Sequence, residues 1–113
     1  DHVAPWRSVY KLHLLIPTEI TFALTNGGHN AGIVSEPGRP RRHYQIMKRV
    51  PGDAYVSPDE WVRLAPTRQG SWWPEWNAWV GGYGEGKVPA RQPGGGSLPA
   101  LEDAPGSYVR VRA

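Results

Sequence analysis

The sequence predicts an α/β fold class, and three observations predict it. An amphipathic segment over residues 6–15 precedes an alternating apolar run over residues 19–25, which ends in the glycine-rich loop Gly27-Gly28-His29-Asn30-Ala31-Gly32. The order of helix, strand and loop is that of half a parallel α/β unit, in which the helix is the crossover between two strands. We therefore expect a helix, a last parallel strand, a histidine loop and Trp-rich helices, in a piece that is incomplete on its own.

The first two elements follow from residue spacing. Residues 6–15 carry apolar side chains at helical spacing directly after Pro5, and Pro17 ends the pattern. In residues 19–25, Ile20, Phe22 and Leu24 alternate with smaller side chains, as in a strand. We expect this strand to pair in parallel with a strand that ends just before Asp1.

The following elements are marked by turn and cap residues. Residues 43–49 form a second predicted strand, and Ser57 followed by Pro58 and two acids predicts the start of a helix. Ser71 is the predicted cap of a later helix that has Pro74 in its first turn. Residues 108–111 form a predicted C-terminal tail or short strand.

Four aromatic side chains of the later helix fall on one stripe, since Trp72, Trp76, Trp79 and Tyr83 are spaced by four, three and four residues. Such a stripe anchors a helix on a core, or it forms an apolar contact surface for a partner chain or a water-insoluble substrate. The sequence leaves both interpretations open, and the second corresponds to a binding or assembly module.

Composition predicts a fragment of a larger protein. The chain has 113 residues with 14 glycines and 12 prolines, many of them in the final third. We predict a folded part over residues 1–80, a Gly/Pro-rich linker over residues 81–101 and a C-terminal tail or short strand over residues 102–113.

Several function classes are disfavoured by composition. The absence of cysteine removes disulfides, thiolate metal sites and a cysteine nucleophile from this polypeptide. A net charge of +3 without interleaved basic and aromatic residues disfavours nucleic-acid binding, and the apolar runs are too short to span a membrane. The four histidines lack metal-ligand spacing, so no metal is expected; His13 is predicted on a helix surface and His43 as exposed. A cytoplasmic location is the default expectation.

Asp1 and His29 have the order and separation of two members of a catalytic triad. One helix and one strand lie between them, so in a parallel sheet both loops emerge at the same edge. A carboxylate bonded to one imidazole nitrogen leaves the other nitrogen to act as a base. No Gly-x-Ser-x-Gly nucleophile motif is present in the sequence. The chain thus contains the acid and the histidine of a triad without its nucleophile.

Three motifs together resemble the C-terminal part of polyhydroxyalkanoate synthases. They are Asp1-His2-Val3-Ala4-Pro5-Trp6, Gly27-Gly28-His29-Asn30-Ala31-Gly32-Ile33-Val34 and Gly70-Ser71-Trp72-Trp73-Pro74-Glu75-Trp76, and the segment Ala104-Pro105-Gly106-Ser107-Tyr108-Val109 looks like the end of these enzymes. The resemblance implies an α/β-hydrolase-type catalytic domain with a Cys-His-Asp triad, which polymerises (R)-3-hydroxyacyl groups from coenzyme A thioesters. It implies that residues 1–80 are the C-terminal part of this catalytic domain.

By matching motifs, the resemblance implies that Asp1 is the triad aspartate and His29 the general base. His2, Trp6 and Asn30 are candidates for substrate binding or for contacts that support the triad. The implied partners are hydroxyacyl-CoA, which is a substrate and not a cofactor, and the polyester chain on polymer granules; a homodimer of the complete protein is compatible with this. The fragment alone is expected to be inactive. An esterase or polymer depolymerase fragment of the same fold is the alternative enzyme.

Overall fold

A computed structural model describes residues 2–112, which form two units; the first ends at Tyr83 and the second begins at Gly84. The boundary falls inside the stretch predicted as a linker. In the first unit the elements are α1 (Trp6–Tyr10), α2 (Leu12–Leu15), β1 (Ile20–Thr25), α3 (His29–Ile33), β2 (His43–Arg49), α4 (Pro58–Leu64), β3 (Thr67–Gln69) and α5 (Trp73–Gly81).

The predicted first helix is present as two short helices. Lys11 joins α1 to α2 with helical backbone angles, so the chain keeps its direction through the junction. The Pro5 carbonyl accepts the first bond, from the Ser8 amide at 2.8 Å. The predicted strands over residues 19–25 and 43–49 are confirmed as β1 and β2.

The three strands form an antiparallel sheet in the order β1-β2-β3. The register between β1 and β2 runs from Ile20 opposite Arg49 to Thr25 opposite Tyr44. Within residues 2–112 the second edge of β1 has no strand partner. The expected parallel strand would precede Asp1, so the parallel pairing stays a prediction.

One face of the sheet carries an aromatic core. Because side chains alternate along a strand, Phe22 and Leu24 of β1 point to the same face. They pack with Met47 against Tyr10 and Trp61, each of which is 1% exposed. The Tyr10 hydroxyl donates to the Val56 carbonyl at 2.9 Å, and burial raises the pKa of this phenol. The core thus joins α1 and α4 across β1.

The prediction that His13 lies on a helix surface is wrong. His13 is buried, its ring stacks on Tyr10 with centroids 4.0 Å apart, and its Nδ1 lies 2.9 Å from the Tyr10 carbonyl oxygen. The imidazole of His13 behaves as an apolar side chain within residues 6–15, because its ring stacks on the aromatic ring of Tyr10. His43 is exposed, as predicted.

The predicted helix starts are confirmed, with one shift. The Ser57 hydroxyl accepts from the Glu60 amide at 3.3 Å and caps α4. For α5 the residue at the cap position is Trp72, while the Ser71 hydroxyl accepts from the Trp73 amide at 3.0 Å. On the sheet face opposite the aromatic core, the Tyr44 hydroxyl donates to Glu75 of α5 at 3.4 Å.

In the second unit the structure shows a single 3-10 turn over Tyr108–Arg110 in place of the short terminal strand. Strand geometry requires a neighbour to bond to, and none of the described residues after Gly84 forms a strand. Glu102 accepts instead from the Ser107 amide and hydroxyl, both at 2.8 Å, and these bonds lower the pKa of the Glu102 carboxyl.

Candidate active site

His29 is the first residue of α3, directly after the sharp turn that ends β1. Gly27 has φ of 112° and His29 has φ of 38°, so the chain takes left-handed conformations on both sides of Gly28. A non-glycine residue in this region is uncommon, and such outliers are concentrated at functional sites. The sharp bend expected at the glycine-rich loop is therefore present, and it places the histidine at its end.

Two glycines allow α3 to lie directly on the end of β1. A Cβ on Gly32 would stand 2.5 Å from the Thr25 hydroxyl and 3.0 Å from the Asn26 carbonyl oxygen. A Cβ on Gly27 would stand 2.7 Å from the guanidinium of Arg42. Gly32 approaches a backbone oxygen that cannot easily move, and Gly27 has a φ that other residues rarely adopt, so both positions favour glycine. The backbone that carries His29 is thereby set by contacts on either side of the loop.

Asn26 fixes the point at which β1 ends. Its side-chain oxygen accepts from the His43 amide at 2.9 Å, and its side-chain nitrogen donates to the Arg41 carbonyl at 2.9 Å. Its backbone amide donates to the His43 carbonyl at 3.1 Å. These bonds join the start of the histidine loop to the start of β2, so the first residue of the loop is held in place.

A cavity of about 290 Å³ lies between α1, β1 and α3. Trp6, His29 and Asn30 all line it, and Phe22, Leu24 and Ile33 add apolar wall. The structure therefore brings together three of the residues proposed from the sequence. An imidazole on an apolar cavity is an arrangement suited to proton transfer beside an acyl group.

Trp6 has two roles in the structure. It lines the cavity, and its ring also packs against the core, with centroids 6.4 Å from Phe22 and 6.5 Å from Trp61. His2 is exposed and is not among the cavity residues, and Asp1 lies outside the described residues.

Sequence reasoning missed the contacts that hold the far end of α3. The indole nitrogens of Trp72 and Trp73 both donate to the Ile33 carbonyl, at 3.0 and 2.8 Å. The buried Ser71 hydroxyl donates to the carbonyl of buried Ser35. These partners lie 36 to 40 positions apart in the chain, so no local pattern predicts them. In the sequence, residues 70–76 indicated only a cluster of tryptophans at the start of a helix.

The aromatic stripe at α5 is confirmed, but the core-anchor interpretation is wrong for three of its members, Trp76, Trp79 and Tyr83, the last of which is 74% exposed. Ring centroids are 5.8 Å apart for Trp72 and Trp76, and 5.0 Å apart for Trp79 and Tyr83. Trp76 and Trp79 are nevertheless 50% and 47% exposed. Trp76 and Trp79 line a cavity of about 160 Å³ together with Thr21 and Ala23 of β1, so the space between α5 and this face of the sheet is not filled.

No cluster of three or more His, Cys, Asp or Glu side chains suited to a metal ion occurs in the described part of the chain. Over the same residues, none of the helices has the length and apolar character needed to cross a membrane.

The known proteins that this chain resembles over its whole length are polymerases. They are poly(3-hydroxyalkanoate) polymerases: the PhaC subunit of Rhizobium meliloti is 42% identical over 113 residues, and the enzyme of Methylorubrum extorquens is 41% identical over 113 residues. The PhaC subunit of Cupriavidus necator is 35% identical over 115 residues. Each match includes 100% of this chain and 18 to 19% of the relative.

The chain therefore spans about one fifth of the length of the curated relatives it matches. No protein-family model matches it. The resemblance to polyhydroxyalkanoate synthases is confirmed: the chain is similar throughout to a part of these poly(3-hydroxyalkanoate) polymerases.

Proposed function

We propose that this chain is the histidine-bearing part of the catalytic domain of a polyhydroxyalkanoate polymerase, with an α/β-hydrolase-type fold. The observation that carries the proposal is the position of His29, which lines an apolar cavity in a chain similar throughout to such polymerases. The edge of β1 that lacks a partner among residues 2–112 leaves room for the preceding parallel strand that this fold requires.

In the proposed reaction the complete protein joins (R)-3-hydroxyacyl groups from coenzyme A thioesters. The imidazole of His29 takes the proton of a cysteine thiol supplied by the rest of the protein, and the thiolate attacks the thioester carbonyl. Coenzyme A leaves as its thiol after it receives the proton from the imidazolium. Asp1 supports the attack of a substrate or chain hydroxyl on the acyl-cysteine. The new ester bond forms as the bond between the acyl carbon and the cysteine sulfur breaks, and the hydroxyl proton passes to that sulfur, which regenerates the thiol.

The other predicted residues have supporting roles in this proposal. Trp6 and Asn30 line the acyl site, and their shared cavity with His29 supports this assignment. His2 is next to Asp1 in the sequence and is proposed to support it. No cofactor is proposed, and the coenzyme A thioester is the substrate. The complete protein is proposed to act on polymer granules in the cytoplasm and is compatible with a homodimer.

The proposal is tested by replacing His29 in the full-length polymerase that carries this sequence. His29→Asn is the sharpest variant because asparagine tolerates positive φ but does not titrate near neutral pH. Release of coenzyme A from a panel of (R)-3-hydroxyacyl-CoA thioesters is expected to fall by at least about 100-fold, the usual contribution of a general base. An unchanged circular dichroism spectrum is the control for folding. Release at near the wild-type rate would contradict the assignment.

The same assay separates polymerase from esterase or depolymerase. The polymerase forms insoluble polyester as coenzyme A appears, and its nucleophile upstream of Asp1 is a cysteine. A serine at that place, with soluble hydroxy acids as product, would favour the hydrolase alternative.

A binding function for the exposed part of the aromatic stripe is a second candidate. Trp76 and Trp79 are half-exposed on adjacent turns of α5, so they can contact a water-insoluble polyester. In the full-length protein, Trp76→Ala with Trp79→Ala is expected to reduce sedimentation with poly(3-hydroxybutyrate) granules. The control is Tyr108→Ala, which removes an aromatic side chain that is 86% exposed elsewhere. Unchanged granule binding would exclude this surface.

A further inference from the structure

We infer that the indole N–H groups of Trp72 and Trp73 are positioning groups for His29. They fix the carbonyl end of α3 and thereby keep the imidazole on its cavity. This inference rests on the proposed function, because it assumes that His29 is the base. It adds two residues, distant in sequence and outside the cavity, to the set that controls the reaction.

The helix that carries His29 needs external anchors. With five residues α3 is far below the length at which an isolated helix is stable in water. Its first turn receives no side-chain cap, and its first residue has the uncommon φ of 38°. A short helix with such a start keeps its place only where surrounding contacts determine it.

The carbonyl end of α3 receives those contacts from three consecutive residues. The last carbonyls of a helix have no partner inside it, and a carbonyl oxygen has two lone pairs. The Ile33 oxygen accepts from Trp72 Nε1 at 3.0 Å and from Trp73 Nε1 at 2.8 Å. Two residues further on, the Ser35 carbonyl accepts from the Ser71 hydroxyl. We call Ser71, Trp72 and Trp73 the clamp.

The clamp works together with the close packing of Gly32. At Gly32 the helix is pressed against Thr25 and Asn26, while the clamp holds the next residue, Ile33. His29 lies one helical turn before this fixed point, so a rotation of α3 about the left-handed turn at Gly27 would carry the imidazole along the cavity wall. Catalytic geometry is sensitive to displacements of about 1 Å, which cost on the order of a hundredfold in rate.

The test uses tryptophan to phenylalanine changes in the full-length polymerase, since phenylalanine keeps an aromatic ring and removes the N–H donor. Trp72→Phe and Trp73→Phe each leave one indole on the Ile33 carbonyl, and each is expected to lower kcat for coenzyme A release about threefold. The double variant is expected to lower kcat on the order of tenfold to a hundredfold. KM is expected to change less than kcat, because neither tryptophan lines the cavity and the displacement acts mainly on the position of the base.

Hydrogen exchange provides a readout that does not depend on catalysis. In the double variant, the backbone amides of residues 30–34 are expected to exchange at least about tenfold faster than in the wild type. Their exchange rate reports how often α3 opens locally, and the loss of the clamp makes this opening more frequent. Exchange in α4 is expected to be unchanged. The control is Tyr108→Phe, which removes a hydroxyl from a side chain that lies outside the stripe and is 86% exposed, and it is expected to change neither kcat nor exchange.

The outcomes separate the inference from the function on which it rests. If His29→Asn is inactive but the double variant has wild-type kcat or unchanged exchange in α3, the inference is overturned while the proposed function stands. If His29→Asn is active, the proposed function fails, and with it the catalytic meaning of the clamp. If the double variant does not fold, Trp73→Phe decides: unchanged exchange in residues 30–34 overturns the inference, and faster exchange with a fall in kcat that exceeds any change in KM supports it.

Discussion

At the scale of single residues, Gly32 shows how closely α3 approaches β1. Gly32→Ala would place a methyl group 2.5 Å from the Thr25 hydroxyl and 3.0 Å from a backbone oxygen. We expect the free energy of unfolding to fall by about 1–3 kcal/mol, as for other overpacked sites, despite the better helix propensity of alanine. Urea denaturation measures this change.

Gly81→Ala is the matched control for Gly32→Ala. Gly81 also lies at the end of a short helix, and no atom stands within 4 Å of its added Cβ. We expect Gly81→Ala to leave stability unchanged or slightly raised, because alanine loses less conformational entropy on folding. Equal stability of the Gly32 variant and the wild type would show that α3 can move away from β1.

At the scale of elements, an ion pair joins α1 to α4. Arg7 donates to the Asp59 carboxylate, and this hydrogen bond, aided by the charge of Arg7, holds the pKa of Asp59 below its ordinary value of 3.8. The folded state therefore binds the Asp59 proton more weakly than the unfolded state does. The stabilisation is fully present above the ordinary pKa and is lost as the pH falls through the lowered pKa of the folded protein.

Asp59→Asn is expected to flatten the decline of stability below pH 3.8. Denaturation curves recorded between neutral and acid pH measure this slope, and high salt should shrink the difference because both side chains are exposed. Glu60→Gln is the control, since Glu60 lies in the same first turn of α4 and its carboxylate is close to the same positive end of the helix dipole as that of Asp59. Identical acid slopes for wild type and Asp59→Asn would refute the contribution of the ion pair.

At the scale of the whole molecule, much apolar surface is left open in the first unit. Leu14 and Leu15 of α2 are 63% and 77% exposed, and Val34 after α3 is 58% exposed. Contiguous exposed apolar surface is typical of an interaction site.

The elements that sequence reasoning located correctly are those set by local physics. Alternation marked β1, Ser57 and Pro58 marked the start of α4, and helical spacing marked the stripe of α5. The glycine-rich loop located His29 at a bend because only glycine tolerates the conformation of Gly27. The similarity to polymerases was also carried by short motifs that can be read directly.

What only the tertiary structure decided depends on residues far apart in the chain. The burial of His13 required the ring of Tyr10 and the core behind it, and the exposure of Trp76 required knowing what lies under α5. The bonds from Trp72 and Trp73 to Ile33 connect segments about 40 positions apart. Sequence periodicity indicates which side chains share one face of a helix or strand. Which other element packs on that face depends on the packing of the whole unit. The sequence by itself therefore determined the local elements and the candidate base, and the tertiary structure decided what holds that base in place.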